Sequence, residues 1–267
     1  VGKSSMIPDA SFSVGVGKKM MQTFYVVSSP ISVKLKVTGM AKYASEFNVK
    51  DLVYAQGINS TIAKGRITAV DTSEAEAQKG VLAVITFKNA EKLAQYEKDL
   101  HPLSTTSIQP VLQSNEVHYY GEYVGMVVAE TFEQAQYAAR LVKYTYEEAT
   151  PDIDFEASKP KAYKPTEQSD YSRGDVATGL AEADVTLDET YVTPIEHHHP
   201  MELHALIGSW NNGNVQAYAS QQMIDNAAKT IADTFKIDKK NVRVMSPYVG
   251  GGFGSKLAAK QHVILAL

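Results

Sequence analysis

The residues with the most chemical promise stand together late in the chain. Tyr248-Val-Gly-Gly-Gly-Phe-Gly-Ser-Lys256 places three consecutive glycines, and a fourth after Phe253, between a strand-like and a helix-like stretch. Such a loop can bring backbone N–H groups against an anionic or oxo-rich ligand, and a following helix N-terminus adds positive potential. The alternative is a tight structural turn with no ligand. Spacing excludes two phosphate-binding loops. No Gly-x-x-x-x-Gly-Lys-Ser/Thr run is present, and although Gly250 and Gly252 match the start of a dinucleotide fingerprint, its third glycine position holds Ser255.

Upstream, His197, His198 and His199 precede Pro200 and Glu202. A metal site from His198 and Glu202, or from His199, Glu202 and His204, is one reading. Against it, Pro200 disrupts helical spacing, and strand alternation splits neighbouring histidines onto opposite faces. Between these clusters lies Ser220-Gln-Gln-Met223, whose glutamines are either ordinary polar residues opening a helix or amides offered to a ligand.

The elements that position these residues follow from pattern. Ile31 to Val37 alternates apolar and polar residues and predicts a strand, with a turn at Thr38-Gly39 and a further ordered stretch from Ala41 to Phe47. Leu52 to Ile58, Arg66 to Asp71 and the apolar run Val81 to Phe87 are strand candidates, with a short capped helix from Thr72 before the last of them. Tyr123 to Ala129 leads into Thr131-Phe-Glu-Gln134, a capping-box spacing that opens a helix with Ala135, Ala138, Ala139 and Val142 on one face, and a strand from Val142 to Tyr146 follows. The rhythm is βαβ-like. From about Ala149 to Arg173, Pro151, Pro160 and Pro165 interrupt a polar stretch that predicts a linker. Beyond it, strands are expected at Asp184 to Thr193, Glu202 to Trp210, Val215 to Ala219 and Asn241 to Ser246, with helices at Asp225 to Phe235 and Leu257 to Leu267. The predicted organisation is an irregular arm over 1–30, a domain over 31–150, a linker over 151–175 and a second domain over 176–267.

Composition narrows the chemistry. The apolar fraction of 44%, charged fraction of 21% and net charge of −4 describe a globular chain with no general attraction to polyanions, so nucleic acid is not an expected partner. There is no cysteine, which excludes thiolate catalysis, disulfides, cysteine-ligated zinc and an iron–sulfur cluster held by this chain. No apolar run approaches the roughly 20 residues that span a bilayer. The first residue is Val1 rather than an initiator methionine, so a longer natural chain is expected on that side.

Taken in order, His198-His-Pro-Met-Glu202, Ser220-Gln-Gln-Met223 and Asn241-Val-Arg-Val-Met-Ser-Pro-Tyr-Val249 running into the glycines resemble the molybdenum-binding subunit of the xanthine dehydrogenase and aldehyde oxidase family. Within that family the likeness is to the bacterial three-subunit periplasmic aldehyde oxidases. Lys36-Val-Thr-Gly-Met-Ala-Lys-Tyr43, Ala63-Lys-Gly-Arg-Ile-Thr-Ala-Val-Asp71, Gly80-Val-Leu-Ala-Val-Ile-Thr86 and Val127-Val-Ala-Glu-Thr-Phe-Glu-Gln-Ala135 resemble the family's α/β hammerhead domain. The implied fold is α+β: a hammerhead domain followed by the first part of a molybdopterin-binding domain, the N-terminal part of a larger subunit.

The resemblance also implies roles. Gln222, with Gln221 as the register alternative, lies beside a molybdenum–pterin cofactor, expected as the cytosine dinucleotide form. Gly251, Gly252, Phe253 and Gly254 present backbone N–H groups and an aromatic wall to it, Phe253 and Leu257 line the substrate pocket, and His198 and Glu202 are buried hydrogen-bonding residues behind the cofactor. No histidine is implied as a direct metal ligand. Purine-oxidising members carry an acidic residue after the loop lysine; here Leu257 follows Lys256, and an isobutyl group cannot accept ring N–H hydrogen bonds, which favours aldehydes. The implied reaction is oxidation of aldehydes, or related heterocycles, to acids with water as the oxygen source. The general-base glutamate is expected beyond Leu267, so no catalytic residue is assigned here and the 267 residues alone are expected to be inactive. Iron–sulfur and flavin (FAD) subunits and the remainder of the molybdenum subunit are the implied partners, in the bacterial cytoplasm or periplasm. Two rival readings stand beside this one: a non-catalytic assembly piece or split subunit completed by another chain, and an unrelated nucleotide- or phosphate-binding protein.

Overall fold

The computed structural model describes residues 30–94, 110–164 and 171–267, so the predicted arm lies almost wholly outside the described residues. Two compact units divide the chain: one combines Val1–Glu148 with His198–Leu267, the other is Ala149–His197.

In the larger unit, helix α1 (Pro30–Val37) stands where alternation predicted a strand. Pro30 at its first position needs no amide donor and has a fixed φ suited to a helix. The Thr38-Gly39 turn signal is real, but it ends this helix: Gly39 takes φ +71°, and the amides of Thr38 and Met40 close onto the carbonyls of Lys34 and Leu35. The expected element at 41–47 is a single 3-10 turn, Ala44–Glu46.

Strands β1 (Tyr54–Asn59), β2 (Gly65–Asp71), β3 (Val81–Thr86), β4 (Glu116–Val117), β5 (Tyr123–Ala129) and β6 (Lys143–Glu148) form two three-stranded sheets, ordered β1-β5-β3 and β4-β2-β6. Every pairing is antiparallel. The βαβ-like rhythm of the sequence is therefore not a parallel crossover: the strands on either side of α3 (Phe132–Ala139) belong to different sheets. The short helix α2 (Ser73–Glu76) appears where expected. The predicted capping box of α3 is complete, with Gln134 N donating to Thr131 Oγ1 at 3.2 Å and Thr131 N donating to Gln134 Oε1 at 3.0 Å. Ala135 and Ala138 are fully buried, and Ala138 packs with Val84, Val127 and Val142 in one apolar cluster.

The third sheet, β7-β8-β9, is built from β7 (Leu206–Asn211), β8 (Asn214–Ala219) and β9 (Val242–Met245). Asn212 and Gly213, both at positive φ, make the two-residue hairpin between β7 and β8. Helix α6 (Ile224–Phe235) then carries the chain across to β9, which runs parallel to β8. Its apolar face explains the crossover. Ala227, Ile231 and Ala232 bury themselves against Val215, Ala217, Val242 and Val244, and Val263 and Ile264 of α7 (Gln261–Leu265) join the same cluster. The helix expected from Leu257 is confined to α7, because the chain from Phe253 to Lys256 is still turning.

The smaller unit contains α4 (Phe155–Ser158) and α5 (Val176–Ala181), capped by the carboxylates of Asp154 and Asp175. The strand expected at Asp184 to Thr193 does not form. Alternation supplies a face but no hydrogen-bonding partner, and Val185, Leu187, Tyr191 and Val192 are all exposed.

Candidate functional site

Because β8 and β9 are parallel and paired through Ala217↔Val244 and Tyr218↔Met245, their C-terminal ends lie side by side. Ser220–Gln222 and the segment from Ser246 to Lys256 thus leave the sheet at one edge, the edge at which open α/β sheets commonly bind ligands. The two exits are stitched together. Gln221 N donates to Ser246 Oγ at 3.0 Å, and Gln222 N donates to the Lys256 carbonyl at 2.8 Å.

Beneath the glycine loop lies a polar knot. One carboxylate oxygen of Glu202, Oε2, accepts from Ser220 Oγ at 2.6 Å, from Gly250 N at 2.7 Å and from Lys256 Nζ at 3.0 Å. Lys256 Nζ also donates to the Glu202 carbonyl at 2.7 Å, and Glu202 N donates to the Gly250 carbonyl at 3.1 Å. Lys256 has no exposed surface at all, and an ammonium so placed requires this carboxylate to offset its desolvation. Burial pushes the Glu202 carboxyl up, but the donors from Ser220, Gly250 and Lys256, with the lysine charge, outweigh it and hold the group below the ordinary carboxylate range. The other oxygen, Oε1, is buried and has no hydrogen-bond partner among the described residues. A side chain at Gly250 would put its Cβ 2.5 Å from Glu202 Cβ, so only glycine lets these two backbones approach.

The loop above the knot points outward. Gly251, Phe253 and Gly254 have φ of +95°, +52° and +102°, and the Phe253 ring is 72% exposed at the tip. Among the described residues, the amides of Gly251, Gly252, Phe253 and Gly254 donate to no acceptor within the chain. Alternation into the left-handed region turns successive N–H groups toward a common side, the geometry of an anion-binding nest. The two glutamines separate cleanly. Gln221 is buried, its side-chain amide oriented to donate to the carbonyls of Ala258 and Lys256 at 3.0 and 3.2 Å. Gln222 is exposed, and its amide lies over Gly252: a Cβ added there would meet Gln222 Oε1 at 2.5 Å.

Leu257 is 37% exposed beside this loop. His198 approaches Gly254, with its Nε2 3.5 Å from where a Cβ would stand, but it is exposed, so its expected burial is corrected. Pro200 keeps the histidine run out of regular structure, and no group of three metal-ligating side chains converges among the described residues. His204 instead faces His262, ring centroids 4.8 Å apart. Burial, then His204, Lys260 and Lys256, holds His262 down to about 4; burial and then Lys256 also lower His204. Lys256 and Ser220 were given no role from sequence, and His204 was weighed only as a metal ligand, not as the partner of His262. The one signal for Lys256 was a lone cation two positions after the last glycine of the loop and before Leu-Ala-Ala.

Residues 38–150 match the aldehyde oxidase and xanthine dehydrogenase a/b hammerhead domain, and residues 157–267 match the molybdopterin cofactor-binding domain. The chain is 37% identical over 261 residues to the aldehyde oxidoreductase molybdenum-binding subunit PaoC of Escherichia coli (strain K12), covering 96% of this chain and 35% of that protein. It is 28% identical over 233 residues to the xanthine dehydrogenase molybdenum-binding subunit of Escherichia coli O157:H7, covering 83% of this chain and 31% of that protein. The chain therefore spans about a third of the length of these relatives. Among solved structures, reconstituted CO dehydrogenase from Oligotropha carboxidovorans superposes with a TM-score of 0.71 at 20% identity, over 92% of this chain and 35% of that one. The aldehyde oxidoreductase from Desulfovibrio gigas does so with a TM-score of 0.68 at 21% identity, over 89% and 28%. Two domain matches in sequence order and these relatives place the chain, with its hammerhead and molybdopterin cofactor-binding domains, in the aldehyde oxidase and xanthine dehydrogenase family of molybdenum enzymes.

Proposed function

We propose that this chain supplies part of the cofactor cradle of an enzyme that oxidises aldehydes to carboxylic acids with water as the oxygen source. The observation that carries the reading is the row of unspent amides from Gly251 to Gly254 beside the exposed amide of Gln222, at the C-terminal edge of a parallel strand pair. These donors suit a cofactor rich in oxo and phosphate oxygens, and the exposed Phe253 ring suits a planar neighbour. The residues present thus fit a molybdenum–pterin group. When bound, that group supplies the two-electron redox chemistry.

In this reading, Gly251, Gly252, Phe253 and Gly254 hold the cofactor through backbone N–H groups, and Gln222 donates its side-chain amide. Phe253 and Leu257 border the substrate. An apolar Leu257 offers no acceptor to a purine ring N–H, which supports a simple aldehyde as substrate. Glu202, and more loosely His198, support the loop from behind. The likeness to a subunit named as an aldehyde oxidoreductase supports the same substrate class, and the cytosine dinucleotide is the form of pterin we assign. In this reading electrons leave through iron–sulfur and flavin centres on partner chains, in keeping with the absence of cysteine from these 267 residues, and the general base comes from the remainder of the subunit.

The test is purification of the complete enzyme from its native source. The reading expects molybdenum and a pterin that releases a cytosine nucleotide on hydrolysis, iron on a co-purifying chain, and acid product carrying oxygen from labelled water. A protein that holds a nucleotide but no molybdenum, or one that oxidises purines in preference to aldehydes, would overturn it.

A further inference from the structure

We infer that Lys256 is a positioning residue: its buried ammonium, clamped onto Glu202, sets the height and orientation of the glycine loop and of Gln222 toward the cofactor. The inference rests on the proposed cofactor reading and adds to it a residue with no expected ligand contact.

Lys256 joins three stretches of chain. Its Nζ binds both the carbonyl and the carboxylate of Glu202, 54 residues away, and its own carbonyl accepts Gln222 N at 2.8 Å. The same carboxylate oxygen holds Gly250 N and Ser220 Oγ, one at the base of the loop and the other at the end of β8. Loss of the Lys256 ammonium therefore reaches the loop base and the strand exit through Glu202, and a shift of the Lys256 backbone carries the Gln222 amide with it. A buried charge is a costly way to join segments if apolar contact alone would serve, as it does a few residues away where Val263 and Ile264 pack on α6. What the ion pair adds is direction. The ammonium has three N–H groups at fixed angles, so it specifies where two acceptors stand, which a methylene surface does not. Ser255 closes the turn independently, its N and Oγ both donating to the Gly252 carbonyl at 2.8 Å, so the loop keeps its local turn, while Lys256 fixes the Glu202 carboxylate on which the loop base hangs.

Two functions of the ion pair, holding the fold and aiming the loop, separate in a charge-free pair. Lys256→Met/Glu202→Gln removes both charges, retains acceptor capacity for Ser220 and Gly250, and leaves no buried carboxylate without a cation. Made in the complete enzyme, it should keep a thermal midpoint close to that of the natural protein. The peptide covering the glycine loop should nevertheless exchange its amide hydrogens faster in cofactor-free protein, and molybdenum retained after dialysis should fall about tenfold or more. Glu202→Gln alone, which keeps the shape but leaves the Lys256 ammonium without its carboxylate, should move loop exchange and molybdenum retention in the same direction and, unlike the double variant, lower the thermal midpoint as well. Should the double variant not fold, Ser220→Ala, which removes one donor to that carboxylate and keeps both charges paired, should shift loop exchange and retention in the same direction with smaller size. Unchanged loop exchange, or unchanged molybdenum retention, in a folded double variant overturns the inference. Natural enzyme that carries no molybdenum overturns the cofactor reading instead, and the exchange measurement then decides alone whether Lys256 sets the loop.

Discussion

Ile231 and Lys256 are both completely buried within the same domain, and they are buried for opposite reasons. Ile231, on the inner face of α6, loses water and gains apolar neighbours on β8 and β9, and needs no particular partner. Lys256 loses water and keeps its charge only because Glu202 and a backbone carbonyl receive it. One layer is held by area, and the adjacent loop by a few directed bonds. The layer tolerates small shifts; the loop takes one arrangement or loses its attachment.

That contrast is broken most sharply at the polar end. Lys256→Met leaves the partly buried Glu202 carboxylate without its cation and is expected to destabilise the protein by up to about 3–5 kcal/mol, the range for removing one member of a buried pair. Denaturant titration checks this, and Lys256→Met combined with Glu202→Gln should recover most of the loss. Ile231→Ala, at the apolar end, is expected to lose about 2–5 kcal/mol, with no second substitution that restores it by removing a charge.

Acid sharpens the comparison further. His262 is held down to about 4 in the folded chain, against an ordinary value near 6.5. Its folded pKa is below its unfolded one, so between these values the unfolded chain binds a proton that the folded chain refuses, and stability falls as pH falls through that window. Glu202 is likewise depressed when folded, and its contribution is present above the ordinary carboxylate value and lost as pH drops through the lower folded one. Thermal midpoints measured against pH should therefore decline in two stages, and His262→Gln should flatten the upper one. The smallest expected effect belongs to the hammerhead domain. Thr131→Ala removes the cap of α3 and should cost roughly 1 kcal/mol, with no pH dependence beyond the natural protein's and no change in cofactor content.

The parts legible in the sequence were those whose signals are local. Thr131 to Gln134 carries its capping box within four residues, and Gly250 to Gly254 its departure from regular structure. Errors arose where partners decide. Ile31 to Val37 and Asp184 to Thr193 both alternate, yet the first closes into a helix that Gly39 ends, and the second has no strand to pair with among the described residues. Tyr123 to Tyr146 reads only as a βαβ-like rhythm, because sequence order does not say that its two strands join different sheets. The site divides in the same way. The glycines announced a loop, and the family likeness pointed to Gln222. Only the fold shows that Gln221 is consumed by Ala258 and Lys256 while Gln222 stays exposed over Gly252. The knot of Glu202, Ser220, Gly250 and Lys256 spans 54 residues and leaves no periodicity for a sequence reading to find.

The central claim, that the glycine loop and Gln222 present their donors to a molybdenum cofactor, is tested most directly at Gly252. Its φ lies outside the positive range, so alanine is not strained there, but the new methyl would stand 2.5 Å from the Gln222 amide and push it off the loop. The measurement is molybdenum per folded Gly252→Ala enzyme, alongside its thermal midpoint. The account predicts an unaltered midpoint, because the flexible amide moves aside, with molybdenum content reduced about tenfold. Full molybdenum loading with natural turnover in that variant would contradict it.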